Sequence, residues 1–197
     1  MLEHADARHS DRPVVIDAHF SSVQKLPPLP PLIHLKRVWL LHSSREYNSL
    51  RSILDVAPNL SELFIAFDNL LPVFDDDAMC QLLGARIVHL LILRSVSSAP
   101  THLSEQYIPS LVRTFTRLRH LQIDITDGPS IESIAIATLN AFRPSAQLIS
   151  LVIEGQLTSD ELKVNARQWL VDHTYLNADD QFDAEFKEQT KRFLLWL

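Results

Sequence analysis

The sequence predicts an α/β fold, a right-handed solenoid of about five turns in which parallel strands follow one another in chain order and each is returned by a helix. Three observations point there. Five nine-residue segments align on one apolar pattern, each ends on a polar residue, and the stretches between them carry a helical period. Looking for internal repeats first is productive because a repeat unit cannot bury its apolar face alone and must stack on its neighbours.

The five segments are LKRVWLLHS from Leu35, LSELFIAFD from Leu60, IVHLLILRS from Ile87, LRHLQIDIT from Leu118 and LISLVIEGQ from Leu148. Their apolar anchors are Leu35/Val38/Leu40, Leu60/Leu63/Ile65, Ile87/Leu90/Ile92, Leu118/Leu121/Ile123 and Leu148/Leu151/Ile153. Strands are expected near 37–41, 62–66, 89–93, 120–124 and 150–154, adjacent in sequential order. Successive starts lie 25, 27, 31 and 30 residues apart, close to the roughly 20–29 residues of a leucine-rich repeat. The ninth position holds Ser43, Asp68, Ser95, Thr126 and Gln156. In such a repeat that residue is expected to turn inward and bond backbone groups of the next coil. The competing reading is an ordinary open α/β sheet with evenly spaced strands.

Between the strands, Tyr47, Leu50, Leu54 and Ala57 share one helical face, as do Ile131, Ile134, Ala135, Thr138, Leu139 and Phe142. Ser43-x-x-Glu46 and Thr158-x-x-Glu161 match a capping box. Asp75–Asp77 precede Met79, Leu82 and Leu83 as a helix start, where negative charge is favoured. Pro109 should open the third connecting helix, since it cannot lie inside one. Alternating strand and helix at this period gives right-handed crossovers and a horseshoe.

Three stretches follow. Residues 1–31 read as a polar tail and a proline-rich lead-in, with 14–20 a degenerate strand. Residues 32–157 carry the repeats, and 158–197 a capping helix (158–173) and a hairpin around KEQT. Phe193, Leu195 and Trp196 are expected to cover the last coil. The N-terminal end reads as the point where a longer protein was cut.

Composition narrows the function. A chain of 197 residues with 46% hydrophobic and 21% charged residues suits one soluble domain. The net charge of −6 and 18 scattered Lys and Arg argue against nucleic-acid binding, which needs clustered cations. No apolar run reaches the roughly 18 residues of a membrane span, and the first residues lack a signal peptide. With Cys80 the sole cysteine, no intramolecular disulfide or thiolate cluster can form. A cytoplasmic or nuclear monomer without cofactor or metal is the expectation. Gly84, Gly128 and Gly155 are the only glycines, too dispersed for a phosphate-cradling loop. No glycine-flanked nucleophilic serine is present either.

The repeats resemble those of F-box/leucine-rich-repeat proteins of the ribonuclease-inhibitor-like type. The closing RQWLVDHTYLNADDQF and RFLLWL resemble the C-terminal coil of F-box-like proteins with irregular repeats. The resemblance implies a non-enzymatic scaffold whose repeats hold a substrate while an F-box recruits a ubiquitin-ligase core. Residues 1–31 are too short and proline-rich to supply the helices of an F-box. The family brings no catalytic residues.

Residues between the anchors are expected to face the concave side. One column reads Trp39, Phe64, Leu91, Gln122 and Val152. The next reads Leu41, Ala66, Leu93, Asp124 and Glu154, and the preceding one Arg37, Glu62, His89, His120 and Ser150. The face is therefore expected to be apolar over three repeats and acidic over the last two. Trp39, Phe64, Leu91, Leu41, Leu93, His89, His120, Asp124 and Glu154 are the candidate contacts for a protein partner. The alternative is that Val14, Val15, Ile16 and Phe20 fold over this patch. His89 and His120 share one position of consecutive strands, without an evident third metal ligand. His4 and His9 lie in the polar tail, His173 closes a helix, and Cys80 beside Met79 reads as core. A rival function is an α/β enzyme with catalytic groups on irregular loops, which would reverse the strand order and open a crevice there.

Overall fold

The computed structural model describes residues 31–40, 46–94, 102–126, 128–143 and 147–197. Leu41, Ser43, Ser95, the stretch 14–20, His4 and His9 lie outside the described residues, as does the side chain of Tyr47.

In chain order the elements are β1 (Arg37–Leu40), α1 (Glu46–Val56), β2 (Glu62–Ala66), α2 (Phe67–Phe74), α3 (Asp77–Arg86) and β3 (His89–Leu93). A short 3-10 turn (Glu105–Tyr107) leads into α4 (Ile108–Thr114), β4 (His120–Asp124), α5 (Ile131–Phe142) and β5 (Ser150–Glu154). Then come α6 (Asp160–Val164), α7 (Ala166–His173), β6 (Asp183–Lys187) and β7 (Arg192–Trp196). The seven strands among the described residues form one open, mostly parallel sheet in the order β1-β2-β3-β4-β5-β7-β6. The first five are parallel and sequential, and the β6–β7 hairpin adds antiparallel through β7.

Strand alternation explains the core. All fifteen apolar anchors are buried and belong to one hydrophobic cluster with the helices. Each such Leu or Ile contributes about 1.5–3 kcal/mol by leaving water. Sequential parallel strands joined by crossovers of one hand put every connection on the same side of the sheet, and successive helices from α1 to α5 pack on one another there. The α5 stripe Ile131, Ile134, Ala135, Thr138, Leu139 and Phe142 is buried as a whole.

The same backbone bonds recur at four strand junctions. The Lys36 carbonyl accepts from Ser61 and Glu62 N–H, Ser61 from Val88 and His89, Val88 from Arg119 and His120, and Arg119 from Ile149 and Ser150. These residues hold equivalent positions in the aligned segments. Side chains add ties between successive units: Asn59 Nδ2 donates to Ile33 O at 2.7 Å and Arg117 Nη1 to Ala85 O at 2.8 Å. Gly84 allows close approach, because a Cβ there would lie 2.7 Å from Thr114 O.

Several expectations are corrected. At Thr126 and Gln156 the polar ninth position does not turn inward. Asp68 falls in α2 because β2 runs directly into that helix, Thr126 Oγ1 bonds Asp124 Oδ1 at 2.6 Å, and Gln156 is exposed. Helix α2 was not anticipated. It contains Pro72, which gives up one helical N–H. The expected helix 158–173 breaks at Asn165 (φ −148°, ψ 81°), whose Oδ1 caps α7 by accepting Gln168 N–H at 3.1 Å. The cap of α6 is Ser159, not Thr158. The Thr158 and Ser159 N–H groups instead donate to Glu132 Oε1 at 2.7 and 2.6 Å. At the C-terminus Phe193 and Leu195 are buried, but Trp196 is 42% exposed, because alternation turns it to the opposite face. Asp76 caps α3 through Ala78 and Met79 N–H, and Pro109 stands in the first turn of α4. Among the described residues no helix is long and apolar enough to cross a membrane.

Candidate functional site

The sheet face away from the helices carries the candidate residues in three columns, and register places them side by side. The first column is Arg37, Glu62, His89, His120, Ser150 and Trp196. Arg37 Nε donates to Glu62 Oε2 at 2.6 Å, and His89 Nδ1 lies 3.9 Å from the same oxygen. The His89 and His120 rings meet edge to face at 5.7 Å, and His120 Nδ1 is 2.9 Å from Ser150 Oγ. The column is thus a chain of polar contacts across five strands. Burial lowers the His89 pKa from its ordinary value, with Glu62 opposing and the neighbouring His120 and Arg37 reinforcing the shift. Among the described residues no group of three or more His, Cys, Asp or Glu has the arrangement to hold a metal ion.

The second column is Trp39, Phe64, Leu91, Gln122, Val152 and Leu194. Trp39 stacks on Phe64 with ring centroids 4.3 Å apart and planes 4° from parallel, and the Arg37 guanidinium sits 5.3 Å above the Phe64 ring. Phe64 and Leu91 are each only 8% exposed, and Trp39 Nε1 is buried with no hydrogen-bond partner among the described residues. This corrects the expectation of an open apolar patch. Truncating Phe64 would remove packing, so a loss of binding without a loss of stability is not expected there. Gln122, Val152 and Leu194 are half-buried and Trp196 exposed, so the accessible apolar surface lies towards β5 and β7.

The third column holds Ala66, Leu93, Asp124, Glu154 and Arg192; Leu41, its expected first member, lies outside the described residues. Its acidic end is compensated. Arg192 Nε donates to Glu154 Oε2 at 2.8 Å, and Asp124 Oδ1 accepts from Thr126 N–H at 3.1 Å as well as from its hydroxyl. The acidic face expected over the last two repeats is therefore half neutralised by β7.

Trp196, Leu194 and Arg192 were missed as face residues. The signal was present in RFLLW, whose alternation sends Phe193 and Leu195 one way and the other three residues the opposite way. The expected cover of Phe193, Leu195 and Trp196 puts Trp196 with two residues from which alternation separates it.

In comparisons with known proteins, the chain matches no family model, no curated protein and no solved structure.

Proposed function

We propose that this protein is a leucine-rich-repeat solenoid that binds a protein partner on its strand face, without catalytic chemistry of its own. One observation carries the reading: among the described residues the helices lie on one side of a parallel sheet, while the other side bears half-buried Val152 and Leu194 and exposed Trp196 next to the packed Trp39, Phe64 and Leu91, with Gln122 between them. Parallel sheets ordinarily have both faces covered. Solenoids are the arrangement in which the strand face is left for a partner. The recurrent two-donor carbonyls at equivalent repeat positions support coil-on-coil stacking. Sequential strand order supports the scaffold over the enzyme, since a doubly wound enzyme opens its crevice where the order reverses.

The centre of the contact shifts from the expected trio. Trp39, Phe64 and Leu91 form a packed base, and Gln122, Val152, Leu194 and Trp196 present the accessible surface. His89, His120, Leu93, Asp124 and Glu154 frame it. A partner with an apolar ridge and hydrogen-bonding groups for Gln122 and His120 would fit. Serving as the substrate arm of an F-box-like ubiquitin-ligase adaptor is one form such a scaffold takes.

Photo-crosslinking tests this reading. A crosslinking amino acid at Gln122 or Leu194 should capture the same partner, while one at Gln81, exposed on α3, should not. Trp196→Ala should weaken the complex roughly thirtyfold, since central aromatics carry about 2 kcal/mol or more. Equal capture from both faces, or none from the strand face, would overturn the proposal.

A further inference from the structure

The break between α6 and α7 creates a second surface, separate from the strand face. Because Asn165 leaves the helical conformation, Val164 ends α6 and points outward at 84% exposed, the most exposed of the large hydrophobic residues described. Beside it lies a hollow of about 440 Å³, with the buried Trp169 among its walls. Asp160, Glu161 and Asp172 also line it, and among the described residues no Lys or Arg does. The adjacent Lys163 does not line it; its ammonium pairs with Glu188 Oε1 at 2.5 Å and interacts more weakly with Asp160.

Fold stability accounts for only part of this composition. Asp160 and Glu161 stand in the first turn of α6, where negative charge is favourable. Asp172 stands in the last turn of α7, where it opposes the helix dipole, and it is held by Gln168 Nε2 at 2.9 Å. Val164 buries almost nothing and so contributes little to the core. An apolar side chain at the lip of a largely apolar hollow, ringed by three acids, is complementary to a cationic segment bearing an aliphatic residue.

We propose that the notch between α6 and α7 docks a basic segment of a partner protein, with one aliphatic side chain against Val164 and Trp169. Flanking Lys or Arg side chains pair with Asp160, Glu161 and Asp172. Such pairs at a rim set orientation and association rate more than affinity, while the apolar contact holds the complex. The expected interaction is weak and salt-sensitive.

The probe is a fluorescein-labelled nonapeptide with a central Leu, two basic residues on each side, and Gly and Ser elsewhere, titrated with the full chain by anisotropy. Binding should saturate below about 1 mM, an affinity of at least about 4 kcal/mol. It should weaken about tenfold with Val164→Ser and by a smaller factor, about threefold, with Asp172→Lys. Raising salt from about 50 to about 300 mM should weaken it several-fold. Both substitutions are at exposed positions and should leave the melting temperature nearly unchanged, and Trp196→Ala should leave peptide binding intact. Equal binding of a peptide with Ser at its centre would reduce the site to unspecific charge attraction and overturn the proposal. So would binding unaffected by Val164→Ser, or no saturation. Concentration-dependent self-association that Val164→Ser abolishes, with no peptide binding, would assign the notch to a second copy and also overturn it.

Discussion

Removing the phenyl ring of Phe193 and removing the indole of Trp196 should have very unequal consequences for stability, although the two residues lie three apart on one strand. Phe193 is fully buried, opposite Ile153 on β5 and Phe186 on β6. Phe193→Ala leaves a cavity in the layer that closes the last parallel strand, at a cost of about 3–5 kcal/mol. For a chain of this size each kcal/mol lowers the melting temperature by about 2–4 °C, so a drop of about 6–20 °C is expected. Trp196 stands opposite Ser150 and Asp183 with much of its surface already in water. Trp196→Ala should cost at most about 1 kcal/mol. The assay is urea unfolding followed by far-UV circular dichroism, because removing one of three tryptophans would distort a fluorescence baseline. The slope of free energy against urea should be the same in wild type and Trp196→Ala, so the comparison rests on midpoints. Trp196→Ala as destabilising as Phe193→Ala would refute the assignment of the two faces, and with it the strand face as drawn.

Two further outcomes can be measured. Glu132 is 7% exposed and ties α5 to the segment before α6 through the Thr158 and Ser159 N–H groups. Glu132→Ala should cost about 2–3 kcal/mol, since bonds to a charged acceptor contribute about 1.5–3 kcal/mol each and water recovers part of the loss. Glu132→Gln, which keeps an acceptor oxygen, should cost about half as much, and equal losses would sink the account. His89 has a folded pKa below its ordinary value of 6.5. Between the two values the unfolded chain therefore binds more protons, so stability is full above 6.5 and falls as the pH drops through the folded value. Subtracting the stability-against-pH curve of His89→Asn from that of wild type should show this fall below 6.5, with Glu62, Arg37 and His120 as the groups around it. A flat difference curve would mean that His89 is not desolvated.

Local pattern made much of the fold legible. Side-chain period along a strand depends on backbone geometry alone, so fifteen anchors read from spacing all proved buried. Strand positions were legible for the same reason and the α5 stripe from its helical period, whereas the sequential parallel order came from the repeat spacing and the start of α3 from the acidic run Asp75–Asp77. The ninth position misled because a polar residue after a strand also suits a turn or a helix start. Nothing local distinguishes these from an inward-facing bond.

Composition and periodicity by themselves determined an α/β chain of stacked strand–helix units and the columns in which its face residues lie. Tertiary structure alone decided how much water each column sees and which charges meet. The pairing of β7 with β5 sets Arg192 on Glu154 across 38 residues and brings Trp196 into line with Ser150. Trp39 stacks on Phe64, and Phe64 and Leu91 are each 8% exposed, a burial that the column of residues does not report. The break at Asn165 depends on where α6 must stop to let α7 lay Trp169 and Leu170 into the core, which helical period cannot report. Period is a property of one segment, whereas exposure and charge pairing are properties of two segments meeting, and that meeting exists only in the folded chain.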